Sequence, residues 1–348
     1  MEMDRKHVAG ERFRNIFIHV TKACNLRCAY CYFSADRPLP NELTTEEFAH
    51  LWPDVVSLCP EKVVFTEGEP LLRSDILDLM RSLRSADQEH SVLRCLNTNG
   101  HLMTLRLACQ LVGLADEVRV SLDALDERND ALRGRGNFES AFGAIRILHD
   151  VGFEPRVLVT VTSVGLPDLE PLLCRLLREG IIHINLNPFL PIGRGQGHGE
   201  WVADETAVEK AVRRAWARSK PDRPVPCAPP QQEHQAHCGV GRLLNILPNG
   251  DVFPCHVLVN DEFRLGNVRE QSLVAICDGN GLLSALRKLD FGEIVHQDGA
   301  LAELARRGAC MGNVFAETKA SPVWAKNLPL TVLRPIPRDL NPCSNGST

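Results

Sequence analysis

The sequence predicts an α/β protein whose main body is a parallel sheet with helices packed on it, followed by a smaller C-terminal unit. Three observations carry this expectation. Strand-like and helix-like stretches alternate strictly from Phe13 to Asn187, the order that builds a parallel sheet through right-handed crossovers, open or curled into a barrel. At 348 residues the chain exceeds the ~250–300 residues at which a single core stops growing. Finally, "PDRPVPCAPP" places five prolines in ten residues from Pro221 to Pro230 and reads as a stiff linker.

The elements follow in order. "FRNIFIHV" from Phe13 is β-rich, and "TTEEFAHLWPDVVSL" opens with threonines and two acids, as a helix start should. "KVVF" is a short buried strand. The next helix, "RSDILDLMRSLRS", spaces Ile76, Leu79, Met80 and Leu83 along one face. "VLRCLN" is strand again, "TLRLACQLVG" a helix stopped by Gly113, and "EVRVSL" the fourth strand. "NFESAFGAIRILHDVG", "PRVLVTV", "DLEPLLCRLLREG" and "IIHINLN" complete a set of six strands and five helices. In "ADETAVEKAVRRAWARSK", Val208, Val212, Ala215 and Trp216 share a face, which predicts a surface helix packed on the main body.

In a parallel sheet, ligand chemistry belongs at the C-terminal ends of the strands, where the βα loops gather. Every unusual motif of this half falls there: "CNLRCAYC" after the first strand, "TEGEP" after the second, "NTNG" after the third, "SLDALD" after the fourth and "NPFLPIGRG" after the sixth. Bulk properties narrow the class. The net charge of -5 gives no basic field for nucleic acid. No apolar run approaches the ~18 residues of a membrane span, and the N-terminus lacks a signal-peptide stretch, so the expected location is cytoplasmic.

Thirteen cysteines, an odd number in a chain without a secretory signal, argue for metal or redox ligands over a disulfide framework. Cys59, Cys95, Cys109 and Cys174 stand singly among apolar neighbours and read as small buried hydrophobes. Cys24, Cys28 and Cys31 are different, since three thiols fall within eight residues. Four thiolates close a tetrahedral zinc site, whereas three leave a position vacant. Soft sulfur ligands point to an iron–sulfur cluster or to a zinc knuckle with a distant fourth ligand.

"CNLRCAYC" resembles the C-x3-C-x2-C signature of the radical SAM enzymes, and "FTEGEPLL", "NTNG" and "VSLDA" follow in the order of that family's S-adenosylmethionine-facing segments. The resemblance covers roughly residues 13–194 and implies a partial six-stranded parallel (β/α)6 barrel. It also implies a [4Fe-4S] cluster on Cys24, Cys28 and Cys31, which binds S-adenosylmethionine and cleaves it reductively to a 5′-deoxyadenosyl radical. By the same resemblance Tyr30 lies on the adenine side and Gly68 and Glu69 face the amino group. Asn97, Ser121 and Asp123 are candidate polar contacts, with loop or helix capping as the alternative. "LPIGRG" near Gly193 passes under the adenine or simply leaves the barrel. Glu67 departs from the pattern, which has glycine there, and either crowds the loop or adds a carboxylate.

Beyond the linker, "RLLNILP" and "DVFPC" flank "NG", a hairpin signal that brings Cys238 and Cys255 toward each other. This stretch resembles the opening of the auxiliary-cluster domains called SPASM and Twitch. The later cysteine run of a complete SPASM domain is thinned to Cys310 and Cys343, with Leu301, Leu304 and Val314 where others would be sought. One auxiliary [4Fe-4S] cluster is therefore expected, on Cys238, Cys255, Cys310 and a fourth ligand from Cys343 or Cys227. A degenerate domain with zinc or no metal is the alternative. His237 and His256 adjoin these cysteines as hydrogen-bonding groups or rarer ligands.

The expected organisation is an extension over residues 1–12, the radical SAM barrel over 13–200, a helix and linker over 201–230, and a SPASM/Twitch-like α+β unit over 231–348. The expected activity is hydrogen-atom abstraction from a substrate. Within the family, auxiliary-cluster members mostly cross-link, form thioethers in, or epimerise ribosomally made peptides. Oxidation or epimerisation of a sugar or aminoglycoside is the alternative, and a non-catalytic metal-binding protein is the alternative of another class. Cys227 and Cys277 are candidate hydrogen donors for an epimerase. Expected partners are the substrate and an electron donor such as flavodoxin or ferredoxin. Only a dozen residues precede the first strand, so a leader-peptide-binding partner would be a separate protein. Nucleic acid and membrane are not expected.

Overall fold

The computed structural model describes residues 13–89, 91–219 and 240–287. Six parallel strands form the body: β1 (Asn15–His19), β2 (Lys62–Thr66), β3 (Leu93–Thr98), β4 (Glu117–Ser121), β5 (Arg156–Val161) and β6 (His183–Pro188). Helices α1 (Thr45–Ser57), α2 (Ile76–Ala86) and α3 (Leu105–Leu111) fill the first three crossovers. Two helices, α4 (Asp126–Arg133) and α5 (Asn137–Asp150), share the fourth, and α6 (Leu166–Arg178) fills the fifth. The alternation expected from the sequence is present. The result is the α/β, partial parallel barrel of the predicted fold class.

α4 is an addition to the sequence reading. Its segment, "DERNDALR", has no apolar stripe, because two of its three buried residues, Asn129 and Arg133, are polar and are held by hydrogen bonds. Periodicity of apolar residues cannot report such a helix.

The local causes of the regular elements are visible. At the start of α1, Thr44 Oγ1 accepts the Glu47 N–H at 3.2 Å and Glu47 Oε2 accepts the Thr44 N–H at 2.8 Å, a complete capping box. α2 buries the four apolar residues expected of it. On β1, Ile16 and Ile18 enter the helix-side core with Val63, Phe65, Leu96, Val118 and Val120, each such side chain contributing ~1.5–3 kcal/mol. The alternate residues, Phe17 and His19 on β1, Thr66 on β2 and Asn97 on β3, therefore take the inner face of the barrel.

α7 (Glu205–Ser219) packs on α6 through Ala211, Val212 and Ala215, as its pattern predicts. β7 (Leu243–Ile246) then joins β1 in parallel and turns through Leu247–Gly250 into antiparallel β8 (Asp251–Phe253), which pairs with β9 (Gly266–Asn267). The expected hairpin is thus present, and it continues the barrel's sheet in the order β6-β5-β4-β3-β2-β1-β7-β8-β9. α8 (Leu273–Cys277) rests on α1, and Arg269 reaches the carbonyl oxygen of Asn41 at 2.9 Å.

Two single cysteines differ from the sequence reading. Cys95 is buried and Cys174 half-buried, but Cys59 and Cys109 are exposed. Cys59 sits in a left-handed turn just past α1, and Cys109 lies on the solvent side of the short α3. Apolar neighbours in sequence do not share a face when the element is a helix of seven residues. No helix among the described residues is long and apolar enough to cross a membrane.

Candidate active site

Cys24, Cys28 and Cys31 lie on one loop at the C-terminal end of β1, all half-buried. Burial pushes the Cys24 thiol up to about 11 and raises Cys28 as well. A cationic partner is what returns such thiols to the thiolate form. Among the described residues no three His, Cys, Asp or Glu side chains converge as on a single ion, a geometry that a cube does not require, since its three thiols bind three different irons.

The loop's base is fastened on three sides. Glu42 accepts the Lys22 N–H at 2.7 Å and the Thr21 hydroxyl at 2.9 Å. Arg73 donates to the carbonyl oxygens of Val20 and Leu43 at 2.8 and 2.9 Å while its other side grips Asp75. The Cys24 N–H donates to the carbonyl oxygen of Asp36 at 3.0 Å.

The loop after β2 presses on this backbone from below. Gly68 has φ +54°, and a Cβ there would stand 2.1 Å from the Ala23 carbonyl oxygen, so only glycine fits. The Glu69 N–H donates to that same oxygen at 2.8 Å. Its carboxylate, fully buried, accepts the Thr98 hydroxyl at 2.7 Å, the Asn99 N–H at 2.7 Å and the Leu71 N–H at 3.1 Å. Burial outweighs these bonds and raises Glu69 to about 7. The second and third strand-end motifs therefore meet through Glu69.

Glu67 adopts φ +65°, a left-handed conformation that costs a side-chain-bearing residue ~1–3 kcal/mol and that glycine adopts freely. Its carboxylate accepts the hydroxyl of Tyr32, the neighbour of Cys31, and burial raises it to about 7. The Tyr32 ring in turn meets His256 edge-on, with centroids 5.7 Å apart. His256 adjoins buried Cys255, so residues next to Cys31 and to Cys255 touch.

On the opposite wall, Tyr30 donates its hydroxyl to Asp123. Asp123 is itself bound by Arg133 through Nε at 2.7 Å and Nη2 at 2.9 Å and accepts the Thr160 N–H at 2.7 Å. Both its oxygens are engaged within the protein. Asn97 donates to Thr66 Oγ1 at 3.0 Å and keeps a buried Oδ1 without a partner among the described residues. Ser121 ends β4 on the same inner face.

Cys277 lies apart from these groups. It ends α8 against the helix-side core near Asp54 of α1, and burial pushes its thiol up to about 12. Cys227, Cys238, Cys310, Cys343 and His237 fall outside the described residues.

Sequence reasoning missed Arg133, Glu42 and Arg73, which hold the site from outside the motifs, and Arg194, which lies within "LPIGRG" but was given no role. It also missed His19, which burial keeps neutral at about 3 and whose Nε2 meets Asn245 Oδ1 at 3.1 Å. For His19 a signal existed: alternation with Ile16 and Ile18 places it on the inner face beside the cysteine loop. Arg194 offered none.

Comparison with known proteins agrees with this architecture. Residues 18–171 match the Radical SAM superfamily, and residues 238–307 match the SPASM iron-sulfur cluster-binding domain. The chain is 28% identical over 316 residues to the mycofactocin maturase MftC of Mycolicibacterium smegmatis, covering 85% of this chain and 76% of that one. It is 33% identical over 197 residues to the Fe-coproporphyrin III synthase of Methanosarcina barkeri, covering 56% of this chain and 47% of that protein. Among solved structures, Streptococcus suis SuiB bound to S-adenosylmethionine superposes with a TM-score of 0.69 at 17% identity, over 88% of this chain and 75% of SuiB. At that identity the likeness is one of fold.

Proposed function

We propose, from the premise that this chain belongs to the radical SAM superfamily and carries a SPASM domain, that it is a radical SAM enzyme that modifies a ribosomally made peptide by cross-linking, thioether formation or epimerisation. The observation that carries the reading is the joining of the cysteine loop, the Glu69 loop and the "NTNG" strand end into one hydrogen-bonded unit at the barrel's C-terminal mouth. The mycofactocin maturase relationship supports a peptide substrate.

In this reading Cys24, Cys28 and Cys31 hold a [4Fe-4S] cluster, and three soft thiols on a single loop fit it. Loaded with S-adenosylmethionine and given one electron by an external donor, such a cluster would supply reductive cleavage to methionine and a hydrogen-abstracting 5′-deoxyadenosyl radical. The protein's part is to hold and to exclude. Glu69, anchored by Thr98, Asn99 and Leu71, presents its carboxyl group to the amino group of S-adenosylmethionine, and Gly68 lets that loop approach. Tyr30, fixed by Asp123, forms the adenine side. Asn97, whose Oδ1 has no partner among the described residues, and Ser121 are the polar contacts. The inner barrel face keeps water from the radical. Cys238, Cys255, Cys310 and Cys343 hold one auxiliary cluster, with an electron donor such as flavodoxin or ferredoxin and a separate leader-binding protein as partners.

The test is anaerobic incubation of the reconstituted protein with S-adenosylmethionine, a reductant and a panel of synthetic precursor peptides. The reading expects 5′-deoxyadenosine formation together with a mass or chirality change in the peptide. 5′-Deoxyadenosine formed with a sugar and not with any peptide would contradict it.

A further inference from the structure

We propose that Arg194 is a positioning residue for the [4Fe-4S] cluster, holding the ligand loop in register and setting a fixed positive charge beside it. The segment after β6 comes back over the cysteine loop and meets it backbone to backbone. The Arg194 N–H donates to the Cys31 carbonyl oxygen at 2.9 Å. Its side chain then crosses the loop, Nε donating to the Cys28 carbonyl oxygen at 2.9 Å and Nη1 to the Ala35 carbonyl oxygen at 2.8 Å. One residue thus binds the carbonyl oxygens of two of the three cysteines from a distance of 163 to 166 positions in the chain.

Gly193 makes that approach possible. It has φ +59°, and a Cβ would lie 2.2 Å from the Tyr32 carbonyl oxygen and 2.5 Å from that of Cys31. The glycine is required by contact with the loop, which separates this segment from a flexible exit.

The guanidinium also brings a charge to the loop. Arg27 is paired with Asp36, and Arg133 with Asp123. Among the described residues Arg194 has no carboxylate partner, and its guanidinium bonds are to carbonyl oxygens alone. Three thiolates make the cluster site anionic, and one-electron reduction adds a further negative charge. A neighbouring cation with no counter-ion favours the reduced form, because cluster potential follows net charge and hydrogen bonding around the site. The inference rests on the cluster assignment above, but its readout is independent of any peptide.

Potentiometric titration of the reconstituted holoenzyme, followed by EPR of the reduced cluster, tests it. Arg194→Gln is expected to keep a donor while losing the charge, and to lower the ratio of reduced to oxidised cluster at fixed potential at least threefold. Arg194→Lys is expected to stay within twofold of wild type. Equal midpoints in all three proteins at equal iron content would overturn the proposal, as would a lysine variant shifted as far as the glutamine variant. If the glutamine variant fails to hold iron, retention by the lysine variant at the wild-type potential supports the proposal, and loss of iron by both overturns the charge assignment. Failure of the peptide reading would leave these titrations unchanged, so the two are distinguishable.

Discussion

Arg133 grips Asp123 with two parallel bonds, Nε to Oδ2 at 2.7 Å and Nη2 to Oδ1 at 2.9 Å, in a place where neither side chain is more than 7% exposed. The pair stands between α4 and the end of β4, and the Tyr30 hydroxyl closes on the same carboxylate. It therefore links the cysteine loop to the fourth strand end.

Removing one partner of this pair should be costly. Asp123→Asn leaves the Arg133 charge buried and uncompensated, with an expected loss of about 3–5 kcal/mol in unfolding free energy. Adding Arg133→Met to that variant should recover part of the loss. Anaerobic urea denaturation of the single and double variants checks this, and a single variant within about 1 kcal/mol of wild type would refute it.

Gly68→Ala should break the seat of the cysteine loop. The new Cβ meets the Ala23 carbonyl oxygen at 2.1 Å, and backbone cannot yield as a flexible side chain does. The expected result is at least a halving of iron bound after reconstitution. Gly136→Ala is the matched control, since its positive φ is similar and no described residue lies within 4 Å of the added Cβ. Equal iron in the two variants would show that the clash is relieved without cost.

Much of this site was legible because its parts are local. The thiol spacing, the strand-end position of each motif and the Gly-Glu pair all reside in short stretches, and alternation of elements placed those stretches at one end of the sheet. What was not legible is long-range or polar. Arg194 reaches Cys28 across 166 positions, and nothing in "LPIGRG" states which loop it will meet. α4 is held by Asn129 and Arg133 and so lacks the apolar stripe that marks a helix. Conversely, Glu67 was visible as a departure from glycine, and its φ of +65° explains why glycine suits that position.

Glu67 also gives a pH dependence. Burial raises its carboxyl from the ordinary 4.5 to about 7 in the folded state, so the fold prefers the protonated form. The associated stabilisation is complete below about pH 4.5, declines as pH rises, and is gone above about pH 7, a span worth at most about 3 kcal/mol. Relative to wild type, Glu67→Gln should gain stability as pH rises through that window. Anaerobic thermal midpoints at pH 5 and pH 8 measure this, and parallel curves for the two proteins would contradict it.

The central claim is tested most directly by iron and sulfide content together with 5′-deoxyadenosine formation, for the anaerobically reconstituted protein and its Cys24→Ala, Cys28→Ala, Cys31→Ala triple variant. The account predicts about eight irons per chain in wild type and about four in the variant, as two four-iron clusters require, with S-adenosylmethionine cleavage lost in the variant. Unchanged iron content and undiminished 5′-deoxyadenosine formation in the variant would contradict the assignment of the three cysteines.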